Sequence, residues 1–401
     1  MISFLLASIL FGVALVLAVP VTTLLVECLA ALFPIHDSLR EQSVNPRIAV
    51  LVPAHNEASG IQQVLENLLP QLSDRDRLVV IADNCTDETA AIARSTGATV
   101  IERCDQERRG KGYALDYGVR FLEADPPDAV VIVDADCIVQ PGTLSRISRQ
   151  AVTSGRPVQA LYLMERPAHP TPKDAVSALA FLVKNGVRPQ GLARLNLPCL
   201  LDGTGMAFPW AVIQQAMLAS GNIVEDMQLG VDLAIAGHPV AFSPNTRVTG
   251  LLPQQEQAAK SQRTRWEHGH LQTIFTQVPK LISSAIRKRR FDLLALALDL
   301  SIPPLSLLVM LWIAAAGLAV LAGLLGLSWF PATVLGAEGL FLMLAILLAW
   351  LGLGRSELPL QTLLAVPLYL LWKIPLYLAF VIRPQQEWVR TERDTVNSSK
   401  L

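Results

Sequence analysis

The sequence predicts an α/β domain with a mostly parallel sheet, carried by one N-terminal and two to three C-terminal transmembrane helices. Three observations lead there. Short β-branched apolar runs alternate with helical stretches between about residues 47 and 164, the pattern of βαβ units. The run Val130-Val131-Ile132-Val133 is too continuous for a half-exposed strand, and it ends in Asp134-Ala135-Asp136, where open α/β sheets place their ligands. The apolar excess, 52% hydrophobic residues with a mean hydropathy of +0.41, is gathered toward the two ends of the chain.

From Met1 to Val26 there is no charged residue. A bilayer span takes about 20 apolar residues. A signal peptide calls for a basic start and a shorter apolar core, so residues 3–25 read as a retained transmembrane helix. Arg47 to Pro53 is the first strand, and the loop Ala54-His55-Asn56-Glu57 leads to an amphipathic helix over 59–69. Leu78 to Asp83 is a second buried strand, followed by a helix that Thr86 or Asp87 caps and that ends near Ser95. Thr99 to Ile101 is a short third strand. Gly110-Lys111-Gly112 opens a helix broken before Pro126-Pro127. Past Asp136 come a strand over 157–164, a glycine-bearing turn at Asp202-Gly203-Thr204-Gly205, and a helix over 227–236. Glu225-Asp226 heads that helix, where carboxylates suit the positive helix end. Gln262 to Trp266 follows a polar helix, and His268 and His270 just beyond read as surface or interface histidines rather than metal ligands.

After Phe291 the chain turns apolar, with membrane helices expected over 305–327 and 333–353. Residues 359–382 are long enough for a third, but contain Pro367, Lys373 and Pro375. A charge at mid-membrane costs roughly 3 kcal/mol on insertion scales, so this segment is either a kinked span or a broken re-entrant pair. The chain thus divides into 1–35, 36–290 ending in interfacial helices, 291–383 in the membrane, and a polar tail, 384–401. Arg287-Lys288-Arg289-Arg290 beside a membrane segment places the soluble domain in the cytoplasm, most simply at a bacterial inner membrane.

A net charge of −1 over 401 residues gives no field for nucleic acid. Five scattered cysteines, with no CxxC pair, fit a reducing compartment. Two unpaired carboxylates buried at a strand end cost several kcal/mol each. Mg²⁺ or Mn²⁺ removes that cost and shares oxygen ligands with phosphates, so Asp134 and Asp136 are candidate metal ligands. A solvated acidic turn is the plain alternative.

Six ordered motifs resemble those of membrane-bound family 2 glycosyltransferases. Val52-Pro53-Ala54-His55-Asn56-Glu57 matches the P-x-x-N-E opening, and Asp83-Asn84-Cys85-Thr86-Asp87-Glu88-Thr89 resembles the D-x-S-x-D-x-T turn, with Cys85-Thr86 where Gly-Ser is common. Gly110 to Leu115 matches G-K-x-x-A-L, Asp134-Ala135-Asp136 the metal motif, Glu225-Asp226 the E-D motif, and Gln262 to Trp266 the Q-x-x-R-W motif. Each is weak alone; six in order are specific. The resemblance covers about residues 45–290.

It implies a GT-A, Rossmann-like fold and inverting transfer of a sugar, as a hexosyltransferase, from a nucleotide-diphosphate donor, UDP-sugar first. The acceptor is a lipid or growing polysaccharide at the membrane, since Q-x-x-R-W is shared by cellulose-, chitin- and hyaluronan-type synthases and ceramide glucosyltransferases. By the same resemblance Pro53, His55 and Glu57 face the nucleotide, Asp83 accepts a hydrogen bond from the base, and Lys111 adds a point charge near the phosphates. Asp136 holds Mg²⁺ or Mn²⁺, with Asp134 acting beside it or through the sugar or nucleotide. Asp226 is the candidate general base. Gln262, Arg265 and Trp266 serve the diphosphate and the acceptor; an interfacial anchor is the plain reading of Arg265 and Trp266. Two other classes remain open, a membrane transporter and a catalytically inactive glycosyltransferase-like scaffold. Ordered acidic motifs in the soluble domain weigh against both.

Overall fold

The computed structural model describes residues 2–33, 44–165, 171–220, 224–250, 256–355 and 366–382. In chain order α1 (Ile2–Ala31) precedes β1 (Ile48–Ala54), α2 (Ile61–Leu68), β2 (Arg77–Asp83), α3 (Thr89–Ser95), β3 (Thr99–Arg103), α4 (Lys111–Leu122), β4 (Ala129–Ile132), β5 (Cys137–Val139), α5 (Thr143–Ser154) and β6 (Val158–Met164). Then follow α6 (Pro172–Leu182), a π-helical turn (Val183–Val187), α7 (Arg188–Arg194), β7 (Met206–Pro209), α8 (Trp210–Ile213), α9 (Glu225–Ala236), β8 (Ala241–Gly250), α10 (Glu256–Lys288), α11 (Phe291–Leu300), α12 (Leu305–Leu324), α13 (Phe330–Ala349) and α14 (Val366–Ile382). The described residues of Met1–Ile35, His169–Leu197 and His270–Pro384 form one compact unit, and those of His36–Ala168 and Pro198–Gly269 the other.

In the second unit eight strands form one sheet in the order β3-β2-β1-β4-β7-β6-β8-β5. Its first half is parallel, β3 through β4, as the alternating runs require. β7 then enters antiparallel between β4 and β6, β6 and β8 run parallel, and β5 closes the edge antiparallel to β8. The centre is dry because Ile48–Val52, Leu78–Ala82 and Ala129–Val133 are buried throughout. α4 lies close on that centre: a Cβ on Gly118 would come within 2.9 Å of Ile81 Cδ1. The order reverses between β1 and β4, and at such a switch point the loops beyond the strand ends open a crevice. Those loops carry His55, Asp83 and Asp134.

The expected strands and helices of 47–164 arise within a few residues of their predicted ends. The N-cap of α3 is Glu88, with no side-chain cap bond; Asp87, one residue earlier, accepts from the Thr89 N–H at 3.0 Å. α5, β8 and the helices over 172–194 are additions that the sequence reading lacked. β8 hides because Pro244 interrupts it, and the matching register of β6 slips between Ala160 and Leu161. His268 and His270 correct the surface reading, for both are buried, at 2% and 3% exposure.

The helical unit contains three helices long and apolar enough to cross a membrane, Leu5–Ala31, Leu305–Leu324 and Phe330–Gly354. The first runs past residue 25, through Glu27, because that carboxylate has a partner. Arg188 Nε donates to Glu27 Oε2 at 3.2 Å, while Arg188 Nη2 donates to Asp299 Oδ1 at 2.6 Å and to the Asp299 carbonyl at 2.6 Å. All three side chains are buried. The two acids hold the Arg188 guanidinium protonated against the opposing effect of burial. Around this triad α7 seals the end of α1: Gln190 Nε2 donates to the Ala31 carbonyl at 2.8 Å and Arg194 Nε to that of Phe33 at 2.6 Å. Gly191 is needed there, since a Cβ would collide with the Glu27 carbonyl. Within the described residues α14 is a single helix through Pro375 rather than a broken pair. Its Lys373 is buried, with the ammonium 5.5 Å from the Tyr369 ring centre and 5.7 Å from that of Trp372. The remainder of the 359–382 segment and the 384–401 tail lie outside the described residues.

Removing one partner of a buried ion pair typically costs about 3–5 kcal/mol, because an uncompensated charge stays behind. Arg188→Met is therefore expected to destabilise the detergent-solubilised protein by that amount. Arg120→Met, at an exposed side chain, should stay within about 0.5 kcal/mol of wild type in the same thermal unfolding measurement.

Candidate active site

The site is built where β4 ends. The Asp134 N–H donates to Thr204 Oγ1 at 3.1 Å, which ties the strand end to the turn of Asp202 to Gly205. Gly203 at φ +90° and Gly205 at φ +64° let that turn fold back. Gln159 fixes it from beneath: its Oε1 accepts from Asp202 N at 2.9 Å, and its Nε2 donates to the Thr204 carbonyl at 2.9 Å.

Lys111, the first residue of α4, reaches this turn. Its Nζ donates to the Gly203 carbonyl at 2.7 Å and pairs with the Asp134 carboxylate. The start of α4 is seated against the chain before α9, for a Cβ on Gly112 would lie 2.5 Å from the Leu218 carbonyl. Glu225 and Asp226 occupy the first turn of α9. A Cβ on Gly203 would meet Asp226 Oδ2 at 3.1 Å and Lys111 Nζ at 3.5 Å, so Gly203 is the hinge across which these groups face each other.

The electrostatics follow from burial. Burial alone would push the Lys111 ammonium down, but Asp134, Glu225 and Asp226 outweigh it and hold the charge. Burial raises the Asp134 carboxyl, opposed by Lys111 and reinforced by Asp136. Glu225 is pushed up to about 7 by burial and then by Asp226. Lys111 is a cation that Asp134, Glu225 and Asp226 share. Asp134, Asp136 and Cys137 bring one ligand atom each within 4.8 Å of one another. The Cys137 thiol is buried, pushed up by that burial, and donates to Asp136 Oδ1 at 3.5 Å. Two carboxylates one residue apart, with their oxygens this close, are a donor set that fits a hard divalent cation.

The loops after β1 and β2 interlock. Asn56 Oδ1 accepts from Thr86 N at 2.7 Å, Glu57 N donates to Thr89 Oγ1 at 2.8 Å, and Ala58 N donates to Asp87 Oδ2 at 3.2 Å. His55 Nδ1 lies 2.7 Å from the Asp83 carbonyl. Pro53 stands inside β1, opposite Ile81, and the strand runs one residue beyond it. The Asp83 carboxylate accepts from Arg103 Nη1 at 2.6 Å and from Asn84 Nδ2 at 3.1 Å. Arg103 and Gln159 were not among the sequence-predicted residues, whereas Thr204 lies in the glycine-bearing turn that the sequence marked. Arg103 is revealed by the register, which sets Asp83 beside it across β2 and β3.

Gln262, Arg265 and Trp266 lie in the first half of α10. Gly269 is four residues beyond Arg265 and seven beyond Gln262, so all share one helical face. That face meets the foot of α9, because a Cβ on Gly269 would come within 2.6 Å of Val224 Cγ1. Gln262 is buried and its Oε1 accepts no hydrogen bond among the described residues.

The fold and this acidic strand end define a glycosyltransferase. The model of the glycosyltransferase-like family 2 matches residues 46–269, and the chain belongs to that family. The chain is similar to the 4,4'-diaponeurosporenoate glycosyltransferases of Staphylococcus aureus strains MRSA252 and USA300, 31% identical over 122 residues. That match covers 29% of this chain and 32% of each relative, so the chain spans about a third of the length of these curated relatives. Among solved structures, the mannosyltransferase PcManGT of Pyrobaculum calidifontis is similar at 20% identity with a TM-score of 0.52, over 84% of this chain and 98% of that one. This likeness gives the GT-A fold. A glucosyl-3-phosphoglycerate synthase of Mycobacterium tuberculosis matches over 56% of this chain and 79% of its own, at 24% identity and a TM-score of 0.37.

Gly203→Ala is expected to lower kcat by about tenfold or more, because the new methyl meets Asp226 and Lys111 on a strained backbone. Gly97→Ala, at φ +91° but in open space, should be destabilised similarly and keep its kcat. A second expectation concerns pH. Between about 4.5, the ordinary value, and about 7, folded Glu225 keeps a proton that the unfolded chain releases. In metal-free protein, wild-type stability relative to Glu225→Gln should therefore fall as pH rises through that window and level off above it. A flat difference in thermal unfolding would contradict the upward shift of the half-buried Glu225.

Proposed function

We propose that the chain transfers a sugar, with inversion at the anomeric carbon, from a nucleotide-diphosphate sugar, UDP-sugar first, to a membrane-held lipid or growing polysaccharide. One observation carries the reading: Asp226 at the start of α9 faces Lys111 and Asp134 across Gly203 at the end of β4. Asp226 takes the proton of the acceptor hydroxyl as its oxygen bonds to the anomeric carbon and the diphosphate oxygen leaves. Asp134 and Asp136 would hold Mg²⁺ or Mn²⁺, which would supply charge neutralisation for the leaving diphosphate. Lys111 adds its ammonium on the same side, and Arg265 offers charge-assisted hydrogen bonds. His55, Glu57 and Asp83, with Pro53 setting the end of β1, form the donor's nucleotide side, Arg103 holding the Asp83 carboxylate in place. Trp266 and Gln262 serve the acceptor.

The solved Pyrobaculum mannosyltransferase contains GDP-Man and Mn²⁺, in keeping with a nucleotide-sugar donor and a divalent cation on this fold. The Staphylococcus relatives are 4,4'-diaponeurosporenoate glycosyltransferases, which favours a lipophilic acceptor. Three apolar helices give the membrane attachment. The basic run Arg287 to Arg290 favours a cytoplasmic catalytic domain at a bacterial inner membrane.

Asp226→Asn keeps the size of the side chain but cannot take a proton at neutral pH. Its kcat is expected to fall 10²–10⁴-fold, roughly 2.7–5.4 kcal/mol of barrier, with donor affinity and thermal stability near wild type. Retention of more than about a tenth of wild-type turnover would assign the base elsewhere, with Glu225 tested next. Chelation should abolish turnover and added Mg²⁺ or Mn²⁺ restore it, whereas full activity of Asp136→Ala would remove that residue from the metal site.

A further inference from the structure

We propose that the second half of α10 and its corner with α11 form a binding site for anionic phospholipid, with one apolar helix face in the bilayer interface and Arg287 and Arg289 on lipid phosphates. The inference rests on the membrane attachment of this unit and on no part of the catalytic reading.

The buried side of this half of α10 consists of Leu271, Gln277, Leu281, Ser284 and Ala285. A different face carries Phe275, Ile282 and Ile286, exposed at 70%, 39% and 73%. Their spacing of seven and four residues, with Val278 and Pro279 between, makes one continuous apolar stripe, and Val278, Pro279, Ile282 and Ile286 line a shallow groove. The helix is too polar overall to be among the candidate spans, and such a helix lies in the interface plane rather than crossing it. Phe291 continues the apolar surface at the start of α11, at 69% exposure.

Cations border the stripe. Arg287, Lys288 and Arg289 are exposed at the helix end, and Arg287 Nε is turned toward the Ser283 carbonyl at 3.4 Å. Arg289 closes α10 at φ +52°, the left-handed position where glycine is usual, with Arg290 N donating to the Ala285 carbonyl at 3.0 Å. An arginine at that position strains the backbone, and glycine would relieve it. The side chain that bears the strain is a guanidinium at the edge of an apolar stripe, the group suited to phosphate. Charge and apolar area together select an anionic bilayer surface.

The test uses the full chain in detergent, probed with phosphatidylglycerol against phosphatidylcholine, with bound lipid counted by native mass spectrometry and unfolding followed thermally. Wild type is expected to retain phosphatidylglycerol preferentially and to unfold at higher temperature with it. Each of Arg287→Gln and Arg289→Gly should lower the preference roughly fivefold. Arg289→Gly should at the same time unfold, without lipid, no lower than wild type, which separates lost binding from lost folding. Unchanged preference in the double variant would overturn the proposal. So would full competition by inorganic phosphate, which would show a free-anion site. Dimers in detergent that Ile286→Asp dissolves would assign the stripe to a second copy of the chain and overturn it likewise.

Discussion

The charge at the end of β4 governs the site. Asp134 after β4 and the neighbouring Glu225 and Asp226 at the start of α9 share the Lys111 ammonium, in surroundings that raise Glu225 to about 7. Such a cluster is tolerable only if something further neutralises it or protons are retained, because isolated buried charges cost several kcal/mol each. The turn at Gly203, the hydrogen bond from Asp134 to Thr204 and the Gln159 clamp beneath it all hold these groups at a fixed spacing. In the proposed reaction a divalent cation would add positive charge at Asp134 and Asp136 while also meeting the leaving diphosphate.

The sheet makes this possible by its order. β1, β2 and β4 run parallel, so their carboxyl ends and three loops converge on one edge. Antiparallel β7 starts beside the end of β4, so the Asp202 to Gly205 turn that leads into it lies against Asp134. α9 then needs only its first turn at the site, where carboxylates are favoured by the helix dipole.

Much of this was legible in the sequence for a physical reason. Fully buried parallel strands are written as unbroken apolar runs, as at Val130–Val133, and the acids that follow them have nowhere to go but the crevice. The membrane helices are legible for the same reason of composition. What stayed hidden depends on pairing between distant segments. Arg103 becomes a partner of Asp83 only through the β2–β3 register, and Gln159 matters only because β6 passes beneath a turn more than 40 residues later. Burial of Glu27 was unreadable without Arg188 and Asp299, which lie far along the chain. His268 and His270 read as surface or interface residues, and burial decides against the surface, because a polar helix does not announce what will cover it.

In the proposed site Asp134 both pairs with Lys111 and, with Asp136, holds a divalent cation. Mn²⁺ binding to wild type and to Lys111→Met, followed by electron paramagnetic resonance in the absence of nucleotide, tests it most directly. Removing the competing ammonium from Asp134 is expected to make bare Mn²⁺ bind more tightly in Lys111→Met, while the Mn²⁺–nucleotide complex binds more weakly. Mn²⁺ affinity unchanged or reduced in the variant would contradict the account.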